Sequence, residues 1–307
     1  MLENIRPLGT GLPRMIRGPV TAFAFFLFGA ASSQAQISSI PAVHRTSLST
    51  ESTSNDVLSS QALPLPEQDV IPSGTILPIR LRTNISSEKS KAGQIVVGRI
   101  AQDVPLPDGS NIRAGSKVEG RIVEVTPVGS ASGPRISIQF EKVYSQGKAI
   151  PVTTNLRAMA GFMEVMQTGV PEEGASEGTP SNWWTTTQVG GDSVYGVGGP
   201  VMSAQDSSEV VGWSVNGGVL SLVSAKEGTK CRGPVAGNNS HQALWVFSSD
   251  ACGTYGMEHI QIVHAGRTDP VGIISLASDS SKIKIPSGTA ILLRVNAVSR
   301  DWRNGKS

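Results

Sequence analysis

Four histidines (His44, His241, His259, His264) and two cysteines (Cys231, Cys252) are the groups in this 307-residue chain best suited to hold a metal. Their spacing argues against it. His259 and His264 are five residues apart, so on one strand they face opposite sides. No Cys or carboxylate stands at zinc-ligand spacing. The nearest approach to a nucleophile elbow is Gly212-Trp213-Ser214-Val215-Asn216, which lacks the final Gly and precedes a hairpin turn rather than a helix. The Gly-rich stretch 190–199 opens no helix, so it does not read as a phosphate cradle. Glu172-Glu173 falls in an acidic loop and reads as solvated. The sequence therefore assigns no catalytic residue, no metal and no cofactor, and the chain is read as a non-enzyme.

The residues left with functional potential form a composite. Arg267, Asp269 and Asp250 are charged turn residues in a charge-poor region, and Trp183, Trp184, Trp213 and Trp245 are four of the five tryptophans. Trp213 and Trp245 with Arg267, Asp269 and Asp250 are the candidate ligand-binding set, since clustered Trp beside a few polar groups can stack a sugar or a peptide. The competing reading places Trp213 and Trp245 in the core and makes Arg267–Asp269 an ion pair that staples a loop.

Composition limits the partners. Lys and Arg number 26 against 24 Asp and Glu, a formal net charge of +2, and charged residues make up only 16% of the chain. Arg6, Arg14 and Arg17 precede an apolar run from Val20 to Ala31, followed by Ser32, Ser33, Gln34 and Ala35. That order describes a secretory signal peptide over 1–35, cleaved after Ala35, with translation starting at Met1 or Met15. The run is also short for a spanning helix. Its removal takes three Arg and one Glu and leaves a neutral chain, which has no global field to steer nucleic acid. The expected location is the periplasm or outer membrane, or outside the cell. In such a compartment Cys231 and Cys252 read as a disulfide, with two separate buried thiols as the alternative.

The positioning elements are strands. Gly (34) and Pro (19) are abundant and aromatics are only 5%, which favours an all-β chain of short strands over a helical bundle. Residues 36–69 are a flexible Ser/Pro-rich linker. Within 70–160, period-2 alternation marks Leu77–Leu81, Val118–Ile122, Ile136–Phe140 and Ile150–Val152, with a phase flip at Val123 that predicts a bulge. Residues 161–208 form an irregular Gly-rich connector without an amphipathic helix. Residues 209–300 form a second β domain carrying the disulfide, with 301–307 as a tail. Its elements are a hairpin at Asn216-Gly217, a buried strand over Leu244–Phe247, a strand with Ile260, Ile262 and His264 on one face, and strands at Val271–Leu276, Ile283–Ile285 and Ile291–Val295. The expected architecture is two small β-barrel or β-sandwich domains. One phrase recurs: Ile71-Pro72-Ser73-Gly74-Thr75, Ile285-Pro286-Ser287-Gly288-Thr289 and, more loosely, Ile112-Arg113-Ala114-Gly115-Ser116. It reads as a shared turn before a strand.

The series Ile71-Pro72-Ser73-Gly74-Thr75, Ile85-Ser86-Ser87, Ala101-Gln102-Asp103-Val104, Asp108-Gly109 and Ile112-Arg113-Ala114-Gly115-Ser116 resembles the β-barrel domain of the TrbI family, the outer-membrane core subunit of conjugative (type IV) secretion channels. The resemblance covers residues 70–160 and implies a small barrel and membership in a ring-shaped envelope assembly. The whole chain is also similar to exported proteins of Acidobacteria-type bacteria without an assigned activity, a likeness carried by Ala243–Asp250, Cys252-Gly253 and His264–Pro270. The functional expectation is an exported cell-envelope protein with a structural or binding role. The alternatives are a subunit of a secretion-type assembly and a secreted glycan-active hydrolase. The partners expected are other envelope proteins, cell-wall glycan or further copies of the chain.

Overall fold

A strand that alternates apolar and polar side chains must bury one face, and here the strands do so around two cores. In the computed structural model the described residues are 70–172, 180, 183–224, 240–279 and 281–296. The expected signal peptide with its Ala35 site, the linker 36–69, Cys231 and the tail lie outside them.

The first run of strands is β1 (Ile76–Leu81), β2 (Ile85–Ser86), β3 (Ile95–Ile100), β4 (Val104–Pro105), β5 (Asn111–Ile112), β6 (Lys117–Thr126), β7 (Arg135–Ser145), β8 (Lys148–Pro151) and β9 (Thr154–Ala160). A short helix α1 (Phe162–Gln167) follows. Next come β10 (Thr185–Thr187), β11 (Ser193–Tyr195), β12 (Pro200–Met202), β13 (Val210–Val215), β14 (Gly218–Ser221) and β15 (Gln242–Ala243). The last group is β16 (Gly253–Tyr255), β17 (Gln261–His264), β18 (Ile273–Ala277), β19 (Lys284–Ile285) and β20 (Ala290–Val295).

Among the described residues the regular structure is β apart from the short α1. A ten-stranded sheet runs β16-β9-β20-β1-β3-β6-β7-β18-β17, with β8 paired to β7. Its two ends, β16 and β17, lie against each other, so the sheet is a nearly closed barrel. Inside it pack Leu77, Ile79, Val96, Ile122, Phe140 and Leu293, all at most 3% exposed. Each such side chain contributes about 1.5–3 kcal/mol by leaving water. The six-stranded meander β10-β11-β12-β13-β14-β15 forms the second sheet. A second core fills the space between the sheets. Ile76, Ala158, Ala160, Ala290 and Leu292 on the barrel's outer face meet Val194, Val201, Val219, Leu244 and Phe247. Two buried amides tie the layers together. Gln102 donates to Val219 O (2.9 Å) and accepts from Trp245 N–H (2.7 Å), while Ile76 N–H donates to Gln242 Oε1 (3.1 Å).

Several expectations need correction. The barrel draws strands from both 70–160 and 209–300. Strands β16, β17, β18 and β20 complete the barrel begun by β1, β3 and β6–β9, because β20 slots between β1 and β9, and the described residues belong to one compact unit. Leu244–Phe247 is buried, yet it is a turn. Phe247 N–H donates to Leu244 O at 3.0 Å and Trp245 has φ +56°, so the apolar run reflects burial on all sides, and its strand-type pairing is the single bridge Val189↔Phe247. The connector 161–208 holds α1 and three three-residue strands, its Gly-rich turns being tight enough to fold back as a meander. On β17 the register shifts between Ile262 and His264, so the expected common face is broken. The bulge expected at Val123 is present, between the pairs Ile122↔Ile138 and Glu124↔Ser137. The Asn216-Gly217 turn joins β13 to β14 with Val215 opposite Gly218.

Candidate arginine-lined site

The ladder between β9 and β20 pairs Leu292 with Ala158 and Leu293 with Leu156, which leaves Arg157 as an extra, bulged residue. Bulges re-aim side chains. Arg157 is only 6% exposed, and its Nη2 donates to Ser249 O (3.1 Å) and to Ser224 O. Burial pulls its pKa down to about 10, with the nearby charge of Arg294 acting in the same direction and that of Asp250 opposing. Arg294 stands on β20 opposite Asn155. Its own pKa is lowered, first by burial and then by the charge of Arg267.

Arg267 is carried on the exposed loop between β17 and β18, and that loop is fastened to β9. Leu156 N–H donates to Ala265 O (2.9 Å), and Asn296 Nδ2 donates to Gly266 O (3.0 Å). Asn155 Nδ2 in turn donates to Asn296 Oδ1 (2.7 Å). Within the loop, His264 Nδ1 accepts from Gly266 N–H (2.9 Å). Nδ1 also lies 2.9 Å from Ile273 O, and Nε2 lies 3.0 Å from Asp269 O and 3.2 Å from Thr268 Oγ1. His264 is thus a loop-organising residue.

Arg157, Arg267 and Arg294 border one cavity of about 930 Å³, together with Asn155, Gln261 and His264. Its apolar wall includes Leu156, Ile262 and Val263. No Asp or Glu lines it among the described residues. The volume is at the upper end for small-molecule sites. The three guanidiniums give this lining a positive charge, which suits carboxylate or phosphate oxygens. Cys252, which is disulfide-bonded, also borders the cavity.

Of the residues singled out from sequence, Arg267 is at the cavity and Asp250 lies behind it. Asp250 is 3% exposed and accepts from Ser248 Oγ (2.9 Å) and Gln205 Nε2 (3.0 Å). Asp269 reaches the site through its backbone carbonyl alone among its described bonds. The two tryptophans are not brought together. Trp245 is buried between the sheets, with the Arg80 guanidinium 4.9 Å from its ring centroid, so its place is in the core. Trp213 is half exposed on the second sheet's outer face. Arg157 and Arg294 were not singled out as site residues. The available signal was an arginine inside a strand of otherwise small or apolar residues, Thr154–Ala160 and Ala290–Val295. No protein-family model matches the chain, and a search of curated proteins returned no match.

Proposed function

We propose that this is a binding protein, without catalytic chemistry of its own, whose arginine-lined cavity takes a small anionic ligand. The observation that carries the reading is the convergence of Arg157, Arg267 and Arg294, from a strand bulge, a loop and a second strand, on one cavity with an apolar wall. Behind burial, Arg294 lowers the pKa of Arg157 and Arg267 lowers that of Arg294, a like-charge repulsion that a bound anion relieves. The apolar wall suits an organic carboxylate or phosphate ester over a bare ion. The Arg-led apolar leader and Ser-rich linker support placing this function in the envelope. Calorimetry of the mature chain against inorganic phosphate, a sugar phosphate and di- and tricarboxylates tests it. Binding that weakens in Arg267→Gln and Arg294→Gln is expected, and no heat from any of them overturns it.

A second reading, a subunit of an envelope assembly, is supported by α1. Phe162, Met163 and Met166 are 51–75% exposed on this six-residue helix, an apolar face of the kind that subunits cover. A ring-sized native mass is its expected outcome, and a strict monomer overturns it.

A further inference from the structure

The outer face of the six-stranded sheet carries a row of rings that neither core uses. Thr185 pairs with Tyr195, Pro200 with Trp213, and Trp213 with Leu220. The β11–β12 register, continued one step beyond Val194↔Val201, sets Tyr195 across from Pro200. Tyr195, Pro200 and Trp213 therefore stand side by side on three neighbouring strands. Val194, Val201 and Val219 point the other way, into the core between the sheets. Tyr195 is 49% and Trp213 50% exposed, in a chain whose aromatics are scarce. The adjacent row on the same face is Thr187, Ser193, Met202 and Val210. Neither row holds a charged residue; Glu172 sits at the β10 edge and accepts from Thr187 Oγ1, and Glu209 precedes Val210 at the start of β13.

We infer that this face is a stacking platform for a neutral polysaccharide chain, with Tyr195 and Trp213 as its two ring contacts. The electron-rich face of an aromatic ring attracts the polarised C–H groups on the flat side of a pyranose, while hydroxyl side chains such as Thr185 and Ser193 meet the sugar hydroxyls. The two rings are two strands apart, about 9.5 Å at the ordinary strand spacing, which favours an extended repeating ligand over a single sugar. The absence of charge in both rows matches a neutral partner. A folded partner fits less well, because two half-exposed aromatics offer roughly 200 Å² against the ~800 Å² per side of a stable protein interface. Proline-rich peptides dock into aromatic-lined grooves, and Tyr195 and Trp213 stand on an open sheet face. The inference is independent of the arginine cavity.

Affinity electrophoresis of the mature protein in gels containing hydroxyethyl cellulose, xyloglucan, laminarin or dextran tests it. At least one polysaccharide is expected to retard the protein, with affinity falling at least tenfold in Trp213→Ala and in Tyr195→Ala and partly recovering in Trp213→Phe. Both positions are at the surface, and unchanged circular dichroism verifies that the variants fold. Retardation is expected to be insensitive to salt and intact in Arg267→Gln, which separates it from anion binding in the cavity. The inference is overturned if no polysaccharide retards the protein or if the two alanine variants bind as the wild type does. Binding of a proline-rich peptide alone, or a change of oligomeric state in Trp213→Ala, also overturns it.

Discussion

The backbone N–H of Gly74 donates to Val295 O at 2.9 Å, and Val295 N–H donates back to Thr75 O at 2.9 Å. The same exchange recurs at the other end of the β1–β20 pair, where Gly288 N–H meets Leu81 O (2.8 Å) and Leu81 N–H meets Thr289 O (2.9 Å). Each turn thus closes the end of the strand opposite. The neighbouring β3–β6 pair repeats the device. Gly115 and Ser116 bond Ile100, and Gly93 and Gln94 bond Ile122. Four turns with one hydrogen-bond pattern frame two adjacent hairpin-like pairs, and the fourth, Lys91-Ala92-Gly93-Gln94, is too loose a copy to stand out in the sequence.

These turns are expected to be sensitive to a side chain. Gly288 has φ +97°, and a Cβ there would meet the Phe162 ring at 3.2 Å, whereas Gly115, at φ +85°, faces open space. Gly115→Ala is expected to cost about 1–2 kcal/mol from the left-handed backbone alone, and Gly288→Ala more. Urea unfolding of the two variants checks the order.

Gln102 bridges the two sheets through Trp245 N–H and Val219 O. Gln102→Ala leaves both groups without that partner in the interior, at about 1–3 kcal/mol each. A loss of roughly 2–6 kcal/mol on that basis, with a shifted Trp emission maximum, is the expected result in equilibrium unfolding.

Arg157 should titrate well before an ordinary arginine. Its folded pKa of about 10 lies well below the ordinary arginine value, so the native chain sheds this proton first as pH rises. Between those values the unfolded chain holds more protons, and this group's contribution to stability therefore increases with pH in that window. Arg294→Gln removes the like charge and is expected to move the Arg157 midpoint upward, read from its guanidinium carbon resonance by NMR.

Ligand binding in the cavity should weaken with ionic strength. Arg267 is exposed, so its attraction for an anion is screened within about 8–10 Å at physiological salt. Titrations at rising salt are expected to show falling affinity, with a shallower dependence in Arg267→Gln.

Strand-level structure was legible where local rules decide it. The alternation through Val118 and Ile122, the bulge at Val123 and the Asn216-Gly217 hairpin follow from side-chain period and turn chemistry. The Leu244–Phe247 turn was not legible, because burial on every side gives the same apolar run as a central strand. The site was legible only in part. Arg267 stood out as a charge in a turn of a charge-poor region, but Arg157 and Arg294 looked like single strand arginines.

By itself the sequence determined an all-β chain, the turns that start its strands, and which faces of those strands are apolar, since each depends on residues within a few positions of one another. Only the tertiary structure decided that β16, β17, β18 and β20 close the barrel begun by β1, β3 and β6–β9, and that Arg157, Arg267 and Arg294 share one cavity. Strand partnership is a long-range choice among many edges of similar pattern. A cluster drawn from β9, a distant loop and β20 exists only once that choice is made.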